Sequence, residues 1–244
     1  MRIGSGKSVR VFLVTVCALG AGMGLVRHMA AQSPELQQKV AEIKQAMAAN
    51  KQALAQYTYA EQVTISLKGE VKKVEHFQVR TGPDGKPQKT SLDPPAPPPA
   101  ADEGGRHRLK EHIVEKKKEE YEDYADQIKA LIQQYIPPDK ELIEQARQQG
   151  NIMAGPVGAP GVYQLVISNY LKQGDKMTLV INKGQKDLES LSIATFLNDP
   201  SDAVNVTVQF SRLPNGPNHV SAQTINGVSK QLTIAIQNSN YQLL

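Results

Sequence analysis

Residues that could catalyse a reaction or bind a metal are scattered through this 244-residue sequence. His107 and His112 lie on either side of Glu111, but a spacing of five residues places the two imidazoles on different faces of a helix, unlike a helical zinc pair. Solvated surface histidines are the favoured interpretation there. His76 and His219 lie in or near expected strands, with no carboxylate cluster beside them in sequence. We therefore expect no metal site and no cofactor.

Acidic side chains provide a second candidate for chemistry. A pair of carboxylates could act as acid and base in glycoside hydrolysis, so a hydrolase remains an alternative. No Gly-x-Ser-x-Gly elbow occurs, and Cys17 lies in an N-terminal apolar run, so the sequence offers no familiar nucleophile. We favour a protein that is not an enzyme. The acidic residues expected at strand ends or turns, where acids are ordinarily solvated, are Glu61, Asp187, Glu189, Asp199 and Asp202.

The first 31 residues have the composition of a secretory signal peptide. Three basic residues precede an apolar run at 11–26, and two alanines follow at 30–31. The apolar run is shorter than the ~20 residues that suit a transmembrane helix. We predict a signal peptide at 1–31 and a periplasmic or secreted protein, with an uncleaved N-terminal membrane anchor as the alternative.

The charge of the chain depends on this segment. Residues 1–31 contain four of the 28 Lys and Arg residues and no acid, so the rest of the chain balances 24 basic against 24 acidic residues. The basic character therefore belongs to the targeting segment and gives no reason to expect nucleic acid as a partner. Without Cys17 the chain has no cysteine, so its stability in an oxidising compartment must come from packing.

Apolar and polar residues alternate over short runs in the last third of the chain. Because successive strand side chains point to opposite faces, this pattern predicts an antiparallel β-meander with one apolar face. Gly- and Asn-containing turns separate the runs, with Asn226-Gly227 among them. We expect about six strands here and two upstream. The apolar positions that we expect to line a binding surface are Met177, Leu179, Ile181, Leu191, Ile193, Val204, Val206, Val208 and Phe210.

Helical patterns precede the meander. Leu36, Val40, Ile43 and Met47 form a stripe on a helix that should begin near Ser33 and end near Ala55. A charged helix follows at 106–136, and its second half carries an apolar stripe. The fold class is thus α+β, with a curved, half-barrel-like antiparallel sheet covered by amphipathic helices.

Changes of composition divide the chain into five parts. Pro and Ala dominate the linker, which cannot hold a regular element. We read 82–87 as a turn and 151–161 as a Gly/Pro loop. The expected parts are a signal peptide at 1–31, an N-terminal helix and β-hairpin at 32–92, a Pro-rich linker at 93–105, a charged helical insertion at 106–150 and the meander at 151–244.

Three stretches carry a resemblance to a known family. They are the opening helix leading into Tyr57-Thr58-Tyr59, the strand at Gly174–Asn182, and the strand at Val206–Phe210 followed by Leu213-Pro214-Asn215-Gly216. In this layout the chain resembles the periplasmic lipoprotein-carrier and lipoprotein-sorting proteins of the LolA/LolB type. The resemblance implies a half-open barrel closed by helices, with an apolar interior that holds acyl chains. The Pro-rich linker and the charged helix depart from the pattern.

Three functions follow as hypotheses. The first is an exported envelope protein that binds a lipid, lipoprotein acyl chains or another apolar ligand on the apolar side of its sheet, with peripheral membrane contact left open. The second is a structural or regulatory interaction module of the envelope with a solid core. The third is the hydrolase with scattered carboxylates. A cavity between sheet and helices would favour the first.

Overall fold

The computed structural model describes residues 48–94, 105–136, 138–185, 187–214 and 216–244. Three helices lie in this part of the chain: α1 at 48–54, α2 at Gly105–Ile132 and α3 at Lys140–Gln148. The strands are β1 Tyr57–Leu67, β2 Glu70–Thr81, β3 Pro87–Ser91, β4 Ile152–Pro156, β5 Val162–Ser168, β6 Lys176–Asn182, β7 Asp187–Phe196, β8 Ala203–Arg212, β9 Asn218–Gly227 and β10 Leu232–Leu243.

All ten strands belong to one open, curved, antiparallel sheet. Their order is β3-β2-β1-β10-β9-β8-β7-β6-β5-β4, so eight of the nine neighbouring pairs join strands that are consecutive in sequence. The exception is the pairing of β1 with β10, which joins the N-terminal strands to the meander. The expected α+β class, with a curved sheet covered by helices, is confirmed.

The strand β8 has the alternating burial that its sequence pattern predicts. Val204, Val206 and Val208 are buried, whereas Asn205 and Gln209 between them are exposed. One face of the strand therefore packs in the core and the other meets solvent, as period-two alternation requires. The six strands expected after residue 162 are all present.

Two strands contradict the sequence analysis. Segment 82–87 is a turn only as far as Lys86, because Pro87 begins β3, and the expected loop at 151–161 contains β4. Both are five-residue strands at the two ends of the sheet order. Proline is tolerated at such edges because one side of an edge strand needs no ladder hydrogen bonds. The Pro and Gly residues that suggested loops are thus compatible with short edge strands.

The hairpin turn expected at Asn226-Gly227 is also wrong. Both residues lie in β9, where Gly227 pairs with Leu232 of β10. The chain reverses at 228–231, where Gln231 has a positive φ of 50°. Gly227 has another role, since a Cβ there would lie 2.5 Å from Tyr124 Cε1 and 2.7 Å from Ile128 Cδ1 of α2.

The end of α1 and both ends of α3 lie where the sequence indicates, but α2 ends at Ile132 and not at the expected residue 136. Beyond Ile132 the backbone tightens into a turn, in which the Gln134 and Tyr135 N–H groups bond three residues back. The helix α1 ends one residue before Ala55, and Ala55 N–H donates to the carbonyl of Lys51 at 3.1 Å. Asp139 caps α3 by accepting from the backbone N–H groups of Glu141 and Leu142. Gly150 follows α3 with a φ of +72°, the left-handed conformation that glycine adopts at little cost.

The second half of α2 packs on the sheet. Its apolar stripe is buried, with Ile128 and Ile132 fully enclosed, and Tyr135 just beyond the helix is enclosed as well. Lys116 and Lys118 in the charged first half are exposed. The packed second half is confirmed, whereas the expectation for the side chains of 106–115 lies outside what the structure describes.

Several expectations lie outside the described residues. They concern the signal peptide at 1–31, the helical stripe from Leu36 to Met47, and most of the Pro-rich linker at 93–105. None of the helices in the described ranges has the length and hydropathy that a membrane span requires.

Candidate functional site

One unbroken row of apolar side chains crosses most of the sheet. Each member is the direct cross-strand partner of the next, so all point to the same face, which we call the inner face. The row spans eight neighbouring strands, from the edge strand β4 to β1. This central row consists of Ile152, Ile167, Met177, Ile193, Val206, Ile225, Ile234 and Ile65.

A second row runs beside it on the inner face and changes character halfway. Leu165, Leu179, Leu191 and Val208 are paired in that order on β5 to β8. The next partner, on β9, is Gln223. The row then continues through Ile236 and Val63 and reaches Glu75 on β2. The inner face is therefore apolar over β5 to β8 and partly polar over β9 to β2.

The nine residues expected to line a binding surface lie on β6, β7 and β8. Seven of them are buried in the core, and Ile181 and Phe210 are half-buried. The direct pairs Met177–Ile193 and Leu179–Leu191 bring β6 and β7 together, and Leu191–Val208 adds β8. The sequence analysis did not include Ile225, Ile234 and Ile65 in this surface. Only the strand order reveals that β9, β10 and β1 extend it.

Two tyrosines fasten α2 over the inner face. Tyr124 OH donates to Asp202 Oδ1 at 2.8 Å and accepts from Ser229 Oγ at 3.1 Å. Burial, together with the Asp202 carboxylate, raises the pKa of Tyr124 above its ordinary value. Lys230 and Glu120 form an ion pair on the exposed side of the same contact. The middle of α2 is thus tied to the chain on both sides of β8 and β9.

Tyr135 makes the other attachment. Its hydroxyl donates to Asp175 Oδ2 at 2.5 Å and lies 2.7 Å from Thr195 Oγ1. Burial and the Asp175 carboxylate raise the pKa of Tyr135, so the group is a neutral donor at any physiological pH. Asp175 is only 2% exposed and also accepts backbone N–H groups of Tyr170, Leu171 and Lys172. Four donors satisfy one buried carboxylate.

Charged and polar side chains gather on the inner face of β10, β1, β2 and β3. Glu61 on β1 is buried in an ion pair with Lys89 of β3. Glu61 also faces Asn238 of β10 across the strand pair. Glu75 Oε1 contacts Lys73 Nζ at 2.7 Å. Both carboxylates therefore have a lysine partner, and the region is electrically balanced.

Aromatic rings border this region. Tyr59 stacks on Tyr241 with the ring centroids 4.8 Å apart, and His219 lies 4.2 Å from the Tyr241 ring. Tyr241 OH donates to the carbonyl of Val220 at 3.2 Å. Burial is the main cause of the raised pKa of Tyr241. We call the group formed by Glu61, Glu75, His219, Gln223, Asn238 and Tyr241 the inner polar patch.

His219 gives the first testable prediction. Burial lowers the pKa of His219 below its ordinary value, so the folded protein holds this imidazole neutral. The unfolded chain takes up a proton near pH ~6.5, which the folded chain resists. The free energy of unfolding should therefore fall as the pH decreases below that value. Urea unfolding at pH 7.5 and pH 5.0 is expected to give a lower midpoint at the acidic pH.

The matched variant is His219→Gln, which cannot titrate. Its midpoint should change less between the two pH values than that of the parent protein. The lowered pKa of Asp93, caused by its hydrogen bonds to His76, affects stability only at more acidic pH, so it does not confuse the comparison. An equal pH response in both proteins would contradict the prediction.

The carboxylates considered for catalysis have separate partners. Asp187 pairs with Arg212 at 2.6 Å, and Glu189 accepts from Asn182 Nδ2 at 3.0 Å. Asp199 binds the Ser201 N–H at 2.8 Å. Of the remaining two, Glu61 is paired with Lys89 and Asp202 with Tyr124. The five acids thus make five unrelated contacts.

Histidines do not gather with acids into a metal site in the described ranges. No group of three or more His, Cys, Asp or Glu side chains there is placed to hold an ion. His76 does have an acidic neighbour, because its Nδ1 lies 2.9 Å from Asp93 Oδ1. His76 is exposed and Asp93 half-buried, and the sequence analysis did not predict this pair.

An open cleft of about 390 Å³ lies at the turn between β2 and β3 and the C-terminus. None of the nine expected lining residues borders it. The cleft is lined by Arg80, Thr81, Gly82, Pro83, Gln88 and Leu244.

Comparison with known proteins gives distant similarities. No family model and no curated protein matches the sequence. The chain is similar to the crystal structure of a LolA superfamily protein from Nitrosomonas europaea, at 7% identity and a TM-score of 0.38, over 82% of this chain and 93% of that one. It is also similar to that of a DUF1329 family protein from Desulfovibrio piger, at 12% identity and a TM-score of 0.38, over 81% and 93%. Similarity at this level carries no argument about function.

Proposed function

We propose that the chain is an exported, non-enzymatic carrier of the cell envelope that binds a lipid, a lipoprotein acyl chain or another long apolar ligand on the inner face of its sheet. The central row is the observation that supports this proposal. At about 4.8 Å per strand, its eight strands give an apolar track on the order of 34 Å long. Such a track can bury many methylene groups, each contributing about 0.8 kcal/mol.

The half-buried end of the inner face offers a route for the ligand. Phe210 and Val220 are direct partners on β8 and β9, and both are half-buried at the edge of the core. The tyrosine attachments of α2 lie elsewhere, at Asp202 and Asp175. A ligand could therefore enter beside Phe210 while α2 remains fastened, and α2 would form the opposite wall.

An interaction module with a solid core is the second candidate. It is favoured by the tight contact at Gly227, where the helix touches the sheet, and by the complete burial of Val206 and Val208. Protein interiors normally close to crystal-like density, and this part of the core follows that rule. Under this alternative the chain binds no apolar ligand. The separate contacts of the five acids give the hydrolase alternative no support.

Phe210→Glu tests the carrier. The substitution places a charge at the half-buried end of the apolar track, where a ligand would have to pass. A fully buried Phe side chain contributes about 1.5–3 kcal/mol, and the half-buried Phe210 contributes a part of this. We expect the affinity for a fluorescent long-chain fatty acid to fall at least tenfold, measured by titration of the purified chain.

Gln209→Glu is the control. Gln209 is the exposed neighbour of Phe210 on the outer face, so the same charge there should leave binding unchanged. Circular dichroism should show that both variants keep the folded sheet. Organic extraction followed by mass spectrometry of the parent protein should also yield co-purified lipid. Absence of both lipid and saturable binding would refute the carrier and leave the interaction module.

A further inference from the structure

Four buried polar atoms on or beside the inner polar patch have no hydrogen-bond partner among the described residues. They are Gln223 Nε2, His219 Nδ1, Asn238 Oδ1 and Glu75 Oε2. Gln223 is only 3% exposed and His219 only 7%. A buried polar group without a partner is costly, and most such groups in folded proteins are satisfied. Three of the four, on Gln223, Asn238 and Glu75, lie on neighbouring strands of the inner face and therefore point to a polar species that binds there.

The register of the strands places these residues close together. Gln223 on β9 pairs with Ile236, and Asn238 is two residues further along the same face of β10. Asn238 pairs with Glu61, and Glu75 lies diagonally across β1 and β2 from Glu61. The groups thus span four adjacent strands, a width of about 14 Å at ~4.8 Å per strand.

The same register joins the patch to the apolar track. Gln223 is the direct partner of Val208, and its neighbour Ile225 belongs to the central row. A ligand that lies along the apolar rows would therefore have its polar end at Gln223 and Asn238. No apolar ligand alone could satisfy these atoms.

Charge and hydrogen-bonding capacity define the ligand. Glu61 and Glu75 are already paired with Lys89 and Lys73, so a charged head group would enter this region without a counter-charge. Asn238 Oδ1 and Glu75 Oε2 can only accept, which calls for O–H or N–H donors, and hydroxyls supply such donors without a charge. Gln223 Nε2 can only donate, which calls for a carbonyl or ether oxygen.

We propose that the inner polar patch binds the neutral, hydroxyl- and ester-bearing head group of a monoacylglycerol-type lipid, whose acyl chain lies on the apolar rows. The ester carbonyl accepts from Gln223 Nε2, and a glycerol hydroxyl donates to Asn238 Oδ1 on the adjacent strand. This inference rests on the proposed carrier function and names the class of lipid that the carrier prefers.

Three probes with the same chain length test the preference. Mono-oleoylglycerol, oleate and 1-octadecene are each used to displace a fluorescent long-chain probe from the full chain at pH 8. We expect mono-oleoylglycerol to bind at least tenfold more tightly than either of the others. Equal affinities for the three would overturn the head-group site while leaving the carrier intact. Failure of all three to bind would overturn both.

Gln223→Leu separates a ligand site from a structural role. Replacing an unsatisfied buried amide by an apolar group of similar size should keep or raise the stability of the ligand-free protein. We expect the preference for mono-oleoylglycerol over 1-octadecene to fall at least fivefold, with the affinity for 1-octadecene unchanged. The control is Gln237→Leu, an exposed glutamine on β10, which should change neither.

Two results would contradict this assignment. An unaltered preference in Gln223→Leu would show that the amide does not contact the head group and that a buried water alone satisfies it. A clear loss of stability in the ligand-free variant, measured by urea unfolding, would show that Gln223 has a structural partner.

Discussion

Replacing Asp175 by alanine is expected to lower the free energy of unfolding by about 3–5 kcal/mol, as does the removal of one member of a buried charged network. The Asp175 carboxylate accepts from Tyr135 OH and from three consecutive backbone N–H groups, those of Tyr170, Leu171 and Lys172. Alanine removes the acceptor of the three backbone N–H groups and leaves Tyr135 OH with Thr195 Oγ1 alone. Equilibrium urea unfolding of both proteins would measure the difference.

Two milder variants show where this stability resides. Asp175→Asn keeps the shape and one acceptor oxygen, so it should cost less than alanine. Tyr135→Phe removes only the hydroxyl and should cost about 1–3 kcal/mol, since Asp175 keeps its backbone donors. If Asp175→Ala were no worse than Tyr135→Phe, the turn at Tyr170–Asp175 would not depend on the carboxylate.

Gly227→Val is expected to destabilise the protein at or above the upper end of the about 1–3 kcal/mol that overpacking usually costs. A Cβ at this position would lie 2.5 Å from Tyr124 Cε1 and 2.8 Å from Tyr124 OH. The side chain would therefore push α2 off the sheet and break the Tyr124–Asp202 hydrogen bond. Thermal unfolding, together with near-ultraviolet circular dichroism of the tyrosines, would report both effects.

Gly155→Val is the matched control. Gly155 is also a strand glycine, in β4, and an added Cβ there meets no atom within 4 Å. Valine suits a strand and restricts the unfolded chain, so this variant should be neutral or slightly stabilising. Similar losses at both positions would mean that glycine is required for backbone reasons and not for the approach of α2.

The local sequence pattern was enough to predict the central strands of the sheet but not its two edge strands. Val204, Val206 and Val208 alternate with polar residues because one face of β8 is buried, and this alternation is visible in the sequence itself. The edge strands β3 and β4 bury little and contain proline, so they carry no such pattern. Gly227 was expected in a turn because the sequence does not distinguish a glycine required by an approaching helix from one required by a turn conformation.

The candidate site could be predicted only in part, because it is assembled over long distances in sequence. The nine apolar residues on β6 to β8 are near neighbours in the chain, and their periodicity marks them. The Tyr135–Asp175 and Tyr135–Thr195 contacts join residues 40 and 60 apart. The inner polar patch depends on the pairing of β1 with β10, which no local signal shows.

That pairing of β1 with β10 has a consequence for biogenesis. The residues it joins, such as Thr64 and Ala235, are among the first and the last of the folded chain to be made. Closing a loop of this length is entropically costly, so the step is expected to be slow. Until β10 has been synthesised, β1 to β3 can form no more than a three-stranded fragment in which β1 lacks its second partner. A chain with this strand order therefore cannot complete its sheet until β10 has been made.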